Sequence, residues 1–214
     1  AIEFGRNKLG IPILIGAERR IKEQLKNIGL DEDYKIKIVN STDKEKRDKY
    51  VKHLYKRLQR EGQLERDVDR LVRNDRIAWG ASMIACKDAD AMVTGNTRRY
   101  SSSLEKITQV VDPRAGEIMF GLNLIVNRGK TIFICDTSVI EYPDASQLAE
   151  MAKSAARVVR LFGFDPKVAF LSHSTFGEPA TDRTKRLSDA VEILKKEKVD
   201  FKFDGERQPD VALE

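Results

Sequence analysis

KVAFLSHSTFGEPATDRTKRLSDAVEILKKEKVDFKF, residues 167–203, is the stretch that decides the fold class. Lys167 to Leu171 is a short run rich in apolar residues and reads as a strand. A polar loop, 172–182, follows it. Leu187, Ala190, Val191 and Leu194 then recur at helical spacing, and Val199-Asp-Phe-Lys-Phe203 reads as a second strand ahead of Asp204-Gly205. Strand, helix and strand in so short a span make a βαβ unit, whose two strands lie parallel in one sheet. Immediately upstream, Thr131 to Cys135 is another strand. Asp144 and Gln147 have capping-box spacing, with Pro143 before them. Leu148, Met151, Ala152, Ala155, Val159 and Phe162 mark one face of a helix that Gly163 closes. Residues 131–203 are therefore expected to hold two consecutive βαβ units.

Further upstream, Ile118 to Val126 and Thr131 to Cys135 flank Asn127-Arg128-Gly129 and predict a hairpin. The first half alternates as well. Strands are expected at Ile11–Ile15, Tyr34–Val39 and Asp90–Val93, and helices at Ala17–Leu25, from Thr42, from about Glu65 into Cys86, and at Ser103–Val111. Thr42 and Glu45 have the spacing of a capping box, and Tyr50, Val51, Leu54, Tyr55 and Leu58 form an apolar stripe behind them. Alternation of this kind predicts an α/β fold with a mostly parallel sheet flanked by helices. The hairpin interrupts the alternation, which places a domain change near residue 117: a first lobe over 1–117 and a second over 118–214.

Composition narrows the function classes. The chain has 214 residues, 41% hydrophobic and 34% charged, as expected of a globular protein. A long nearly apolar run, Ile118 to Val126, is only nine residues, and a bilayer-spanning helix needs roughly 20. The formal net charge of +5 invites a nucleic-acid reading. Acids interleave with bases, however, as in Lys44-Glu-Lys-Arg-Asp-Lys49, and mixed runs make solvated helix faces rather than a duplex-binding surface. Two cysteines, Cys86 and Cys135, sit within apolar segments, which favours a reducing, cytoplasmic setting over a disulfide framework. No basic segment followed by an apolar run opens the chain, so no signal peptide is expected. The first residue is Ala1, as expected of a fragment or a processed chain.

Ligands of parallel sheets lie beyond the carboxyl ends of the strands. Four loops are placed there: Thr94-Gly-Asn-Thr-Arg-Arg-Tyr100, Asp136-Thr-Ser138, Ser172-His-Ser-Thr-Phe-Gly177 and Asp204-Gly-Glu-Arg-Gln208. Gly95 and Gly177 permit close backbone approach, hydroxyls bind anionic oxygens, and Arg98 and Arg99 suit a phosphate. Thr94, Gly95, Asn96, Arg98, Arg99, Ser174, Thr175 and Gly177 are the expected ligand contacts, with Asp204, Gly205 and Gln208 as shaping groups. The same loops also suit ordinary helix-capping turns. The sequence has no dinucleotide glycine fingerprint, phosphate-binding glycine–lysine loop, metalloprotease helix or paired C-x-x-C. His53 and His173 lack a placed partner, so no catalytic residue and no metal ligand is nominated. Residues alone lead to an α/β protein that binds an anionic small molecule.

Met92-Val-Thr-Gly95, Phe133-Ile-Cys-Asp-Thr137, residues 168–177 and residues 204–212 occur in an order and spacing that resemble phosphate acetyltransferases. Tyr55-Lys-Arg-Leu-Gln-Arg-Glu-Gly62 and residues 73–83 resemble more closely the phosphotransacetylase-like C-terminal domain of large bacterial NADP-dependent malic enzymes. That resemblance implies a two-lobed, three-layer α/β/α protein that assembles as a dimer or larger homo-oligomer. Acetyl-CoA or a related acyl-CoA or phosphate is the implied ligand. The implied parent oxidises and decarboxylates malate to pyruvate through an N-terminal region holding NADP and a divalent metal, neither of them in this chain. The resemblance also implies departures. A family arginine aligns with Glu105, another falls at or beside Leu58 next to Arg57, and a family lysine is Phe176. Further catalytic residues of the family lie downstream of Glu214, which implies an incomplete second lobe. A glutamate where charge must accumulate in an acyl-transfer transition state opposes catalysis, so the expected function is acetyl-CoA sensing without turnover. A competent transferase and a structural dimerisation module are the alternatives.

Overall fold

The computed structural model describes residues 1–29, 35–95, 97–175 and 181–213, and it divides into two compact units, Ala1–Asp112 and Pro113–Glu214. Asn96, Phe176 and Gly177 lie outside the described residues. Side-chain anchors fall on either side of the division. Arg57 holds the Asp112 carboxylate within the first unit, and Arg157 bonds Glu117 at 2.8 Å within the second.

In the first unit, α1 (Ile2–Arg6), β1 (Ile13–Ile15), α2 (Glu18–Asn27) and β2 (Lys37–Val39) lead into a helical layer. β1 and β2 pair in parallel, with Ile13 opposite Lys37. The helical layer is α3 (Lys44–Leu58), α4 (Glu65–Asn74), α5 (Arg76–Ala85) and α6 (Tyr100–Val110). Of the stripe expected on α3, Tyr50, Val51, Leu54 and Leu58 are buried and Tyr55 is partly so, against Val68 and Val72 of α4, Trp79, Ala81 and Met83 of α5, and Val110 of α6. Tyr50 meets Trp79 edge-on at 5.0 Å between ring centroids, and its hydroxyl donates to Asp88 at 2.7 Å. That contact lets a buried phenol keep a partner for its polar end.

Two local expectations are corrected. Asp43, not Thr42, caps α3, accepting from the Lys46 amide at 3.2 Å. The extra acid begins the helix one residue later than the Thr42–Glu45 spacing implies. Asp90–Val93 forms no strand. Met92 tucks against Gly80, where a Cβ would come within 2.6 Å of its sulfur, while Val93 is 99% exposed. With one residue of the run covered, nothing rewards ladder formation.

In the second unit, β3 (Leu122–Asn127) and β4 (Lys130–Cys135) form the expected antiparallel hairpin, with Asn127 opposite Lys130. Arg128 and Gly129 both have positive φ, the conformation that two-residue hairpin loops require. α7 (Ala145–Leu161) opens with the Asp144–Gln147 capping box. β5 (Lys167–Leu171), α8 (Asp182–Glu197), β6 (Lys202–Arg207) and the short α9 (Pro209–Ala212) complete it. β5 and β6 pair in parallel across α8, as the quoted stretch predicts. Ala149, Ala152 and Ala156 give α7 a small-residue face that packs with Phe170, Leu187, Ala190, Val191 and Leu194.

The second expected βαβ unit is not formed among the described residues, because β4 pairs with β3 and not with β5. The last strand also starts later than Val199. Lys198 closes α8 in the left-handed conformation, so 199–201 complete a turn before β6 begins. The described sheets are thus two parallel pairs and one hairpin, flanked by helices in an α/β arrangement.

Candidate functional site

In the first unit, the segment after Val93 turns at Gly95, where φ is 138° and the Thr97 amide donates back to the Gly95 carbonyl at 2.8 Å. This turn faces the start of α5. Between them lies a cavity of about 550 Å³ lined by Arg76, Ile77, Thr94, Gly95, Thr97 and Arg98. Three nominated residues, Thr94, Gly95 and Arg98, therefore share one cavity. Arg99 does not line it: its backbone caps α6, and its carbonyl accepts from Ser103 Oγ at 3.1 Å. Arg76 was not nominated, although it is exposed, lines the same cavity and has no ion-pair partner among the described residues.

Asp75 stands at the rim. One carboxylate oxygen accepts from the Ile77 and Ala78 amides at 2.8 and 3.1 Å, which caps α5. The other is 3.4 Å from Arg98 Nη1. The helix-start amides are thus taken by Asp75, and the cations left to meet an anion are the two guanidiniums. Glu105 is exposed on α6 and is not among the cavity-lining residues. Arg57 is engaged by the Asp112 carboxylate and donates to the Thr108 carbonyl at 3.1 Å, so it fastens α3 to α6. The Arg57 bond holds Asp112 below the usual carboxylate range.

The second set of nominated residues sits in the second unit: Ser174 and Thr175 follow β5 and Gln208 follows β6, whereas Asp204 and Gly205 lie inside β6, paired with Ala169 and Phe170, and not in the loop expected there. Ser174 is 4% exposed, and its hydroxyl donates to Glu206 Oε1 at 3.0 Å. Glu206 is 2% exposed, and its other oxygen has no hydrogen-bond partner among the described residues. It is the extra residue of a bulge, since Phe170 faces Gly205 and Leu171 faces Arg207. Bulges turn side chains inward in this way. Ser174, expected as a ligand contact, is buried here and directs its hydroxyl hydrogen bond to Glu206. Thr175 Oγ1 accepts from the Gln208 amide at 3.2 Å, and Gln208 Nε2 donates to the His173 carbonyl at 2.8 Å. These residues stitch the two loops together, which is a shaping role. Gly205 allows the close approach of the strands: a Cβ there would stand 2.7 Å from Cβ of Phe170. Asp204 bonds Arg207 and the Gly205 amide, and both hold its carboxyl below the ordinary range.

The Asp136 loop is also structural. Asp136 accepts the amides of Gly121, Ser138, Val139 and Ile140 at 2.6–3.2 Å, tying the base of the hairpin to the chain after it. Burial alone would raise its carboxyl, and the four amides bring it below the usual value instead. The neighbouring Cys135 thiol is pushed up to about 11, by desolvation of its sulfur first and by Asp136 second. Among the described residues no three of His, Cys, Asp and Glu gather to hold a metal.

With this geometry in place, comparison with known proteins gives the relationship. The family profile described as phosphate acetyl/butaryl transferase matches residues 1–214. The chain belongs to this family. An NADP-dependent malic enzyme of Rhizobium meliloti is 42% identical over all of this chain, which spans 28% of that protein. A phosphate acetyltransferase of Acetivibrio thermocellus is 29% identical over 94% of the chain, covering 62% of that enzyme. In structure, a phosphotransacetylase from Streptococcus pyogenes superposes with a TM-score of 0.86 at 25% identity, over 99% of this chain and 66% of that one. The phosphate acetyl/butaryl transferase fold thus accounts for the whole described chain, while the chain spans under a third of the malic enzymes it matches.

Asp75, Arg76 and Glu206 were missed by sequence reasoning. A signal existed for Asp75, a capping residue type just ahead of the run Ile77-Ala-Trp, with Arg76 between. None existed for the bulge at Glu206, which is a product of strand register.

Proposed function

We propose that residues 1–214 form a non-catalytic, acetyl-CoA-sensing domain of a longer NADP-dependent malic enzyme, with an acyl-CoA or phosphate ligand at the Thr94–Arg98 cavity. The observation that carries this reading is that cavity, in which Arg76 and Arg98 stand beside Thr94 and Gly95 at a size suited to a phosphorylated ligand. The order of similarity supports the parent: malic enzymes at 42% and 39% identity precede phosphate acetyltransferases at 29%. The lack of turnover rests on the resemblance, which implies an arginine at the position of Glu105 and another at or beside Leu58, next to Arg57. In this reading the parent converts malate to pyruvate in the cytoplasm, with NADP and a divalent metal in a separate N-terminal region. Its copies assemble as a dimer or larger, and acetyl-CoA shifts the equilibrium between two assembly states.

One observation favours a second reading, a working phosphate acetyltransferase. Glu105 does not line the cavity, so its charge does not cancel Arg76 and Arg98 there. An acetyl-phosphate assay on the full-length protein separates the two. Turnover in the ordinary enzyme range, roughly 1–1000 per second, establishes the transferase and removes the sensor. Calorimetry with acetyl-CoA is the complementary measurement, and absence of binding at millimolar ligand leaves a structural module.

A further inference from the structure

In the second unit, β3 is an unprotected edge. Among the described residues it pairs only with β4, and every residue from Asn123 to Asn127 is exposed. Leu124 and Val126 share one face of the hairpin and Ile125 takes the other, at 41, 67 and 43% exposure. β4 is better covered. Thr131, Ile132 and Phe133 are half-buried, and Phe133 meets Phe162 and Phe164 edge-on, with ring centroids 5.5 and 6.2 Å away. A strand that is apolar on both faces has the pattern of one inside a sheet. Edge strands of soluble proteins are blunted by a charge, a proline or a bulge that blocks further pairing. β3 carries none of these. In a chain that is 34% charged, no charged residue occurs from Ile118 to Asn127, and the ladder to β4 runs without a shift.

We propose that the outer edge of β3 is the surface through which two copies of this chain join, antiparallel about a two-fold axis at Ile125, so that two hairpins make one four-stranded sheet. The inference rests on the reading that copies of the chain assemble, and it adds the surface they use.

Self-complementarity is what favours a second copy as the occupant. A two-fold axis brings residues near it against their own copies, so a charge there repels itself. β3 has no charge to repel. Its two-residue loop makes Asn127 and Lys130 a hydrogen-bonded pair. Alternation along the ladder then turns the backbone groups of Leu122, Leu124 and Val126 to the outer edge. In the symmetric register centred on Ile125, Leu124 of one copy lies opposite Val126 of the other, and both present edge groups that can bond. The same register sets Asn123 of one copy opposite Asn127 of the other. Apolar side chains thus meet apolar ones, and amides meet amides. A lone hairpin is marginally stable at best, and three or more strands remove that weakness.

The test uses the full-length protein. Ile125→Cys sets two thiols across the axis at a pair that exchanges no hydrogen bonds, where Cα atoms lie ~4.5 Å apart, within the span of a disulfide. Mild oxidation is expected to give a covalent dimer on a non-reducing gel, with wild type as the control for Cys86 and Cys135. Leu124→Cys, roughly 7–8 Å from its own copy on the diagonal, is expected to give far less. Ile125→Lys is expected to raise the dissociation constant of the assembly about tenfold or more, read by sedimentation, with the circular dichroism of the wild type. A folded Ile125→Lys protein of wild-type assembly size overturns the proposal. So does an Ile125→Cys protein that forms no self-disulfide, whether its thiol is open to reagent or covered by another part of the chain. Either result leaves the assembly reading standing, whereas a wild-type protein that sediments as a monomer removes both.

Discussion

Asp136 shows how a single side chain shapes a site without touching a ligand. Its carboxylate gathers four backbone amides from Gly121 and residues 138–140. Hydrogen bonds to a charged acceptor are worth more than neutral ones, and a donor left unpaired costs more again. Asp136→Ala is expected to lower unfolding free energy by ~2–3 kcal/mol, read by urea denaturation at pH 7. The same residue carries a pH signature. Its folded-state carboxyl lies below the ordinary value of 3.8. Its stabilisation is therefore complete above that value and is lost as pH falls through the depressed folded one. Asp136→Asn is expected to flatten the acid limb of the stability curve below about pH 4, measured as the difference between wild type and variant across pH 2–6. An unchanged acid limb would assign the hairpin tie to the backbone instead.

Among the elements, α7 and α8 were the most readable. Both begin at capping boxes, Asp144 with Gln147 and Thr181 with Thr184, and both carry apolar residues at a spacing that packing then used. Asp144→Ala is expected to cost ~1 kcal/mol, seen as a fall in the urea midpoint with unchanged slope. Strands were less readable. The hairpin was legible because its signal is local: two apolar runs flank a turn whose Arg128 and Gly129 take positive φ. Asp90–Val93 has the same apolar look, yet it pairs with no strand among the described residues, and only Met92 finds cover, beside Gly80. A strand is completed by a neighbour, and a run of four residues carries no information about whether one is present. The cap of α3 misled for a related reason: Thr42 and Asp43 both suit an N-terminus, and the choice between them falls to backbone geometry.

For the molecule as a whole, the two compact units each build their own core, one around Tyr50 and Trp79, the other around Ala152 and Leu194. Ligand binding to the native state adds to its stability by mass action. Acetyl-CoA at a hundred times its dissociation constant is expected to raise the unfolding free energy by ~2.7 kcal/mol. Thermal melts of the full-length protein with increasing acetyl-CoA check this, and a midpoint indifferent to ligand counts against the sensor reading. The amino-acid order alone was enough for the α/β class, most of the longer helices, the hairpin, the parallel pair across α8 and the family likeness, because periodicity, caps and turn residues act between near neighbours. The one helix expected from Glu65 into Cys86 is instead two, α4 and α5, parted at the Asp75 cap. Long-range placement settled the rest. Arg98 lies opposite an acid 23 positions earlier, Ser174 donates to a glutamate 32 positions later, and Glu206 turns inward at a bulge. Such pairings depend on strand register and packing, which bring together side chains whose separation along the chain contains no trace of the contact.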